Sequence, residues 1–178
     1  MYPAIRLVAQ LLKHRKDPPL PLLGTHVSRH ICLPWDIDLW MELNNGRTLT
    51  LYDLGRTVAA QRAGLVAALR KNRWGLTMAG ASVRYRRRIR TFETIEMRSR
   101  LAWWDDKFFY VEQSMWKADG ECANHIVYRS AVTSKAGIVS PDVVIESIDP
   151  EQEKPDAPEW IAAWIEADTK RPWPPMQE

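Results

Sequence analysis

Asp36-Ile37-Asp38-Leu39-Trp40-Met41-Glu42-Leu43-Asn44-Asn45-Gly46-Arg47 gathers three carboxylates and an Asn-Asn-Gly turn into twelve residues. The short side chains of Asn44 and Asn45 can accept hydrogen bonds from the free N–H groups of a helix start. From Arg47 onward Leu51, Leu54 and Val58 recur at spacings of three and four, the stripe of a helix that buries one face. Gly64 supplies a stop, and residues 65–70 form a short second helix. A carboxylate beside a helix start can activate water while the helix end holds developing negative charge. The plainer alternative is an acidic turn whose side chains cap backbone groups.

Upstream, residues 25–33 read as a strand, with Val27 and Ile31 on one side among polar residues, and Pro34 ends it. Asp17-Pro18-Pro19-Leu20-Pro21 is a linker that stops any earlier helix. Residues 5–12 are an apolar run before Lys13-His14-Arg15-Lys16. The run has neither the charge order of a secretory signal nor the length to span a bilayer. It reads as an amphipathic helix docked on the domain, with peripheral membrane contact through residues 1–16 as the alternative.

Downstream the period changes to two. Residues 76–90 read as a long strand, with Val83, Tyr85, Arg87 and Ile89 on one face and Ser82, Arg84, Arg86, Arg88 and Arg90 on the other. Residues 94–104, 108–117 and 121–134 continue the pattern, separated by a turn at residues 104–107 and by Asp119-Gly120, a type I′ hairpin signal. The expected arrangement is a four-strand antiparallel meander joined by the 25–33 strand. The amphipathic helix packs across the sheet face, an α+β architecture. Residues 143–148 read as a sixth strand or an extended arm. Residues 150–158 read as a loop, and Trp160, Ile161, Trp164 and Ile165 as a small helix before the tail.

The length suits one domain. Residues 1–24 form an N-terminal segment and linker, 25–149 the domain, and 150–178 a C-terminal loop, helix and tail. A net charge of +3 argues against a general polyanion binder, and no nucleic-acid motif is present. Two cysteines are too few for a disulfide framework and suit a reducing, cytoplasmic compartment. The histidines are scattered, so neither a metal nor a cofactor is expected.

With these elements in order, the chain resembles the hotdog-fold thioesterases, in particular the hydroxybenzoyl-CoA thioesterase-like group. The family signature is an Asp-x-Asp pair, then Asn-Asn, a small residue and Arg leading into the central helix. Asp36, Asp38, Asn44, Asn45, Gly46 and Arg47 match it in order and spacing. Glu42 stands where the family usually has His, and Thr48 where it has an aromatic. The resemblance implies a five- to six-stranded antiparallel sheet wrapped around a central helix. It also implies acyl-CoA thioesterase activity and a dimer or tetramer with sites between subunits. It makes Asp38 the catalytic base or nucleophile, with Glu42 as a second candidate carboxylate. Asn44, Asn45, Gly46 and Arg47 would hold the thioester end of the substrate. The alternating arginines offer Arg84 and Arg86 to the CoA phosphates, the alternative being a solvated outer sheet face with Glu93, Glu96 and Glu112 as cross-strand partners. The alternative is a non-catalytic hotdog protein that binds acyl-CoA or lipid or serves as a scaffold.

Overall fold

The helix expected after the Asn-Asn-Gly turn is α2, Asn45–Arg62, and it occupies the centre of the molecule. Asn44 caps it, its Oδ1 accepting the Arg47 N–H at 3.0 Å. The predicted stripe of Leu51, Leu54 and Val58 is buried, together with Thr48, Tyr52 and Gly55. Gly64, at φ +85°, separates α2 from α3, Leu65–Asn72. These features are drawn from a computed structural model that describes residues 2–176.

The sheet contains β1 (His26–Ile31), β2 (Gly75–Tyr85), β3 (Thr94–Trp104), β4 (Phe109–Lys117), β5 (Cys122–Ser134) and β6 (Gly137–Val139). The strands run antiparallel in the order β1-β3-β4-β5-β2, and β6 pairs with the end of β5. The meander is therefore three strands and not four: β2 lies beside β5, with Tyr85 opposite Asn124, and does not touch β3. The physical cause is a bulge. The N–H groups of Arg86 and Arg87 both donate to the Ala123 carbonyl, at 2.8 and 3.0 Å, which ends the ladder and turns the chain out of the sheet. The chain then crosses to the opposite edge. Arg86, Arg87, Arg88 and Arg90 thus lie beyond the strand, and the predicted alternation stops at Tyr85.

Two further expectations need correction. Residues 143–148 do not form a strand or an arm: Pro141–Glu146 is a helix, α4, whose Val144 and Ile145 pack against Leu22, Trp104, Phe109 and Val132. Local β propensity yields here to Pro at the helix start and to tertiary burial. In the Asp119-Gly120 hairpin only Gly120 takes a positive φ, because the turn spans Lys117 to Gly120, whose N–H donates to the Lys117 carbonyl at 3.0 Å, and places Asp119 inside it; the Asp119 carboxylate accepts the Glu121 N–H at 3.0 Å. In β1 the side bearing Val27 and Ile31 faces outward, while His26, Ser28 and His30 face the core. Burial holds the two histidines neutral, at about 4 for His26 and about 3 for His30. Polar partners make this tolerable: Arg62 donates to His26 Nδ1 at 2.9 Å, and Ser28 Oγ is 2.8 Å from His30 Nε2.

The main core lies between α2 and the concave face, where Ile95, Met97, Met115, Ile126 and Tyr128 meet Leu51, Tyr52 and Leu54. Gly55 marks the closest approach, since a Cβ there would sit 2.6 Å from Met97 Sδ and Ser99 Oγ. Gln113 fixes the same contact, its Nε2 donating to the Tyr52 carbonyl at 2.9 Å and to Ser99 Oγ at 2.7 Å. On the convex face α5, Glu159–Thr169, sets Ile161 against Tyr110 and Val127. The first helix, α1 (Ala4–Lys13), packs beside α2.

Candidate active site

Asp36 and Asp38 have different surroundings. Asp36 is fully buried, and takes Arg6 Nη1 at 2.6 Å, Arg47 Nε at 2.8 Å and the Leu33 N–H at 3.1 Å. Burial opposes its charge, yet the bonds from Arg47, Leu33 and Arg6 outweigh that and hold the carboxyl below the usual carboxylate range. Its carbonyl accepts the Asn44 N–H at 2.9 Å, so Asp36 ties α1, the acidic segment and the start of α2 together.

Residues 38–42 then make a tight turn. The Asp38 N–H donates to the Glu42 carbonyl at 2.9 Å, and the Met41 N–H to the Asp38 carbonyl at 3.1 Å. Asp38 Oδ1 accepts the Trp40 N–H at 2.9 Å. The turn brings Glu42 back toward the helix start. The Leu43 N–H donates to the Ile89 carbonyl at 2.8 Å, which locks the turn against the arginine segment.

A cleft of about 160 Å³ opens where these pieces meet. Glu42, Leu43, Asn45 and Thr48 form one wall, Tyr85 to Ile89 the other, and the buried Asn124 also lines it. Arg88 Nε lies 2.8 Å from Glu42 Oε2, an ion pair inside the cleft. The Tyr85 hydroxyl donates to the Asn45 carbonyl at 3.2 Å, and the Tyr52 hydroxyl donates to Asn124 Oδ1. Burial pushes the Tyr52 hydroxyl far up, so it stays a donor and fixes the Asn124 carboxamide.

Of the residues singled out from sequence, Glu42, Asn45 and Arg86 line this cleft. Asn44 is the helix cap, and Gly46 lies in the first turn, where a Cβ would come within 3.4 Å of Asn44 Oδ1. The Arg47 side chain turns to Asp36. Asp38 sits in the adjacent turn, outside the set of lining residues, and Arg84 is exposed on the sheet. Thr48, Tyr85 and Asn124 went unrecognised as site residues. Tyr85 and Asn124 meet only because β2 pairs with β5, a register that local sequence does not reveal. Among the described residues no group of His, Cys, Asp and Glu is arranged to hold a metal ion. A second, apolar cavity of about 180 Å³ lies further along α2, lined by aliphatic residues that include Leu69, Met78, Leu101, Val144 and Ile148.

A curled antiparallel sheet around one central helix, with a cleft at the helix start, defines a hotdog domain. The sequence profile of the thioesterase-like superfamily matches residues 32–165, and the chain belongs to that family. It is similar to protein THEM6 of Xenopus laevis, with 36% identity over 165 residues, covering 90% of this chain and 77% of that protein. Among solved structures it resembles YbaW of Escherichia coli, described as a probable thioesterase. The TM-score is 0.64 at 12% identity, covering 69% of this chain and 98% of the other. It also resembles SAV2348 of Staphylococcus aureus, solved in complex with CoA. There the TM-score is 0.58 at 11% identity, covering 79% of this chain and 93% of the other.

Proposed function

We propose that this protein is an acyl-CoA thioesterase. The observation that carries the reading is one cleft holding a carboxylate, an open helix start and a row of arginines. The N–H groups of Asn45 and Gly46 belong to the first turn of α2, where no intrahelical acceptor exists, and they polarise the thioester carbonyl. Glu42, oriented by Arg88, takes a proton from water. The hydroxide adds to the thioester carbon; the tetrahedral adduct collapses, the C–S bond breaks, and the CoA thiolate leaves and picks up a proton. Arg86 and Arg87, on the cleft wall, receive CoA phosphates. The apolar cavity along α2 offers an acyl tail aliphatic surface.

Two carboxylates compete for the role of base. The cleft favours Glu42, which lines it. The motif favours Asp38, the second Asp of the Asp-x-Asp pair, which keeps one carboxylate oxygen beyond its bond to Trp40. Under the second reading Asp38→Asn loses turnover and Glu42→Gln does not.

The non-catalytic alternative is separated by assaying thiol release from a panel of acyl-CoAs beside calorimetric binding of the same compounds. The expected result is turnover of at least one of them. Binding with no turnover across the panel would make the protein an acyl-CoA binding module.

A further inference from the structure

The first helix carries apolar residues on both of its faces. Arg6, Leu7, Gln10, Leu11 and His14 turn toward the domain, where Arg6 bonds Asp36 and His14 bonds Asp17 at 2.7 Å. Its outward face is Ile5, Val8 and Leu12, exposed by 88%, 54% and 60%. A surface helix of a soluble domain ordinarily keeps that outer side polar. Arg6 and the packing of Leu7 on the core anchor the helix, and a further apolar stripe is left facing out.

A second apolar feature stands at the same end. Arg6 ties the first turn of α1 to Asp36, and three residues beyond Asp36 the tight turn presents Leu39, Trp40 and Met41, exposed by 92%, 74% and 64%. Charge completes the pattern. Residues 1–16 contain no Asp or Glu, and Lys13, Arg15 and Lys16 are exposed at the end of the helix. Exposed aliphatic and Trp side chains on two segments tied by Arg6 and Asp36, with exposed cations at the end of the helix, match the interfacial zone of an anionic bilayer. Among the described residues no helix is long and apolar enough to cross a membrane, so contact would be in the plane of the surface.

We propose that the outward face of α1 and the turn at residues 39–41 seat this protein on an anionic lipid surface, with the cleft beside the contact. One ten-residue helix with three large apolar residues facing outward is a weak anchor by itself, and the Leu-Trp-Met turn supplies the second insertion point. The placement is independent of catalysis and holds whether or not the cleft hydrolyses a thioester.

The test is flotation of the intact protein with phosphatidylcholine vesicles, with and without phosphatidylserine. Binding is expected to the phosphatidylserine vesicles and to weaken as salt rises. Joint replacement of Ile5, Val8 and Leu12 by Glu should lower partitioning by about tenfold or more with unchanged melting, because those side chains already face outward. Trp40→Ala should lower it by a smaller factor. Flotation of the triple variant equal to the parent overturns the proposal, as does failure of the parent to float. It is also overturned if the triple variant dissociates an oligomer in light scattering while vesicle binding persists, since the stripe would then face a second copy.

Discussion

Two aspartates separated by one residue do different work because of where each carboxylate points. Asp36 is inside, between two guanidinium groups; Asp38 is half-buried, in a turn. Asp36→Asn keeps the shape and removes the charge that both arginines face. Breaking a buried pair in this way costs about 3–5 kcal/mol, and the midpoint of urea denaturation should fall accordingly. A midpoint within error of the parent would show that Arg6 and Arg47 find other partners. The motif Asp-x-Asp was legible in the sequence, and so was the capping role of Asn44. The direction of each carboxylate was not, because it depends on Arg6, thirty residues upstream of Asp36 and brought near by packing. Thr48 and Asn124 were illegible for the same kind of reason: neither residue type announces a cleft until β5 is laid beside β2.

At the level of elements, α2 and the sheet meet at Gly55, and that contact sets the depth at which the helix sits in the curl. Ala is the better helix former by about 1 kcal/mol, yet its methyl would fall 2.6 Å from Met97 Sδ and Ser99 Oγ. The clash should dominate, so Gly55→Ala is expected to destabilise by about 1–3 kcal/mol, read as a lowered melting temperature. A rise in melting temperature would mean that the sheet yields at Met97. Strand positions were legible from period-two patterning, and β3 falls where it was expected. Strand order was not. A run of alternating arginines continues the pattern past Tyr85, and only the shared acceptor at Ala123 ends it. In β1 the inward side is the polar one, because Arg62 and Ser28 supply the partners that make buried histidines acceptable.

On the scale of the whole molecule, β2 is the longer of the two strands that end the sheet order among the described residues, β1 being the other. It is eleven residues long, pairs only with β5, and leaves Leu76, Met78 and Tyr85 substantially exposed. An edge of this length is a ready template for another strand. A two-fold pairing of β2 with β2 of a second copy would extend the sheet and bring two clefts toward the shared seam. Light scattering should therefore give a dimer or a larger even assembly, and a Pro replacing Ser82 should weaken it. A stable monomer at working concentration would remove the second subunit from the account of the site.

The claim on which the functional account turns is that Glu42, on the cleft wall beside the first turn of α2, activates the water. The most direct measurement is the rate of thiol release from the best acyl-CoA substrate by Glu42→Gln, set beside the parent and with folding verified by an unchanged melting temperature. Loss of a positioned general base is expected to cost about a hundredfold or more in kcat, with a smaller change in KM. Parent-like turnover by Glu42→Gln would contradict the assignment.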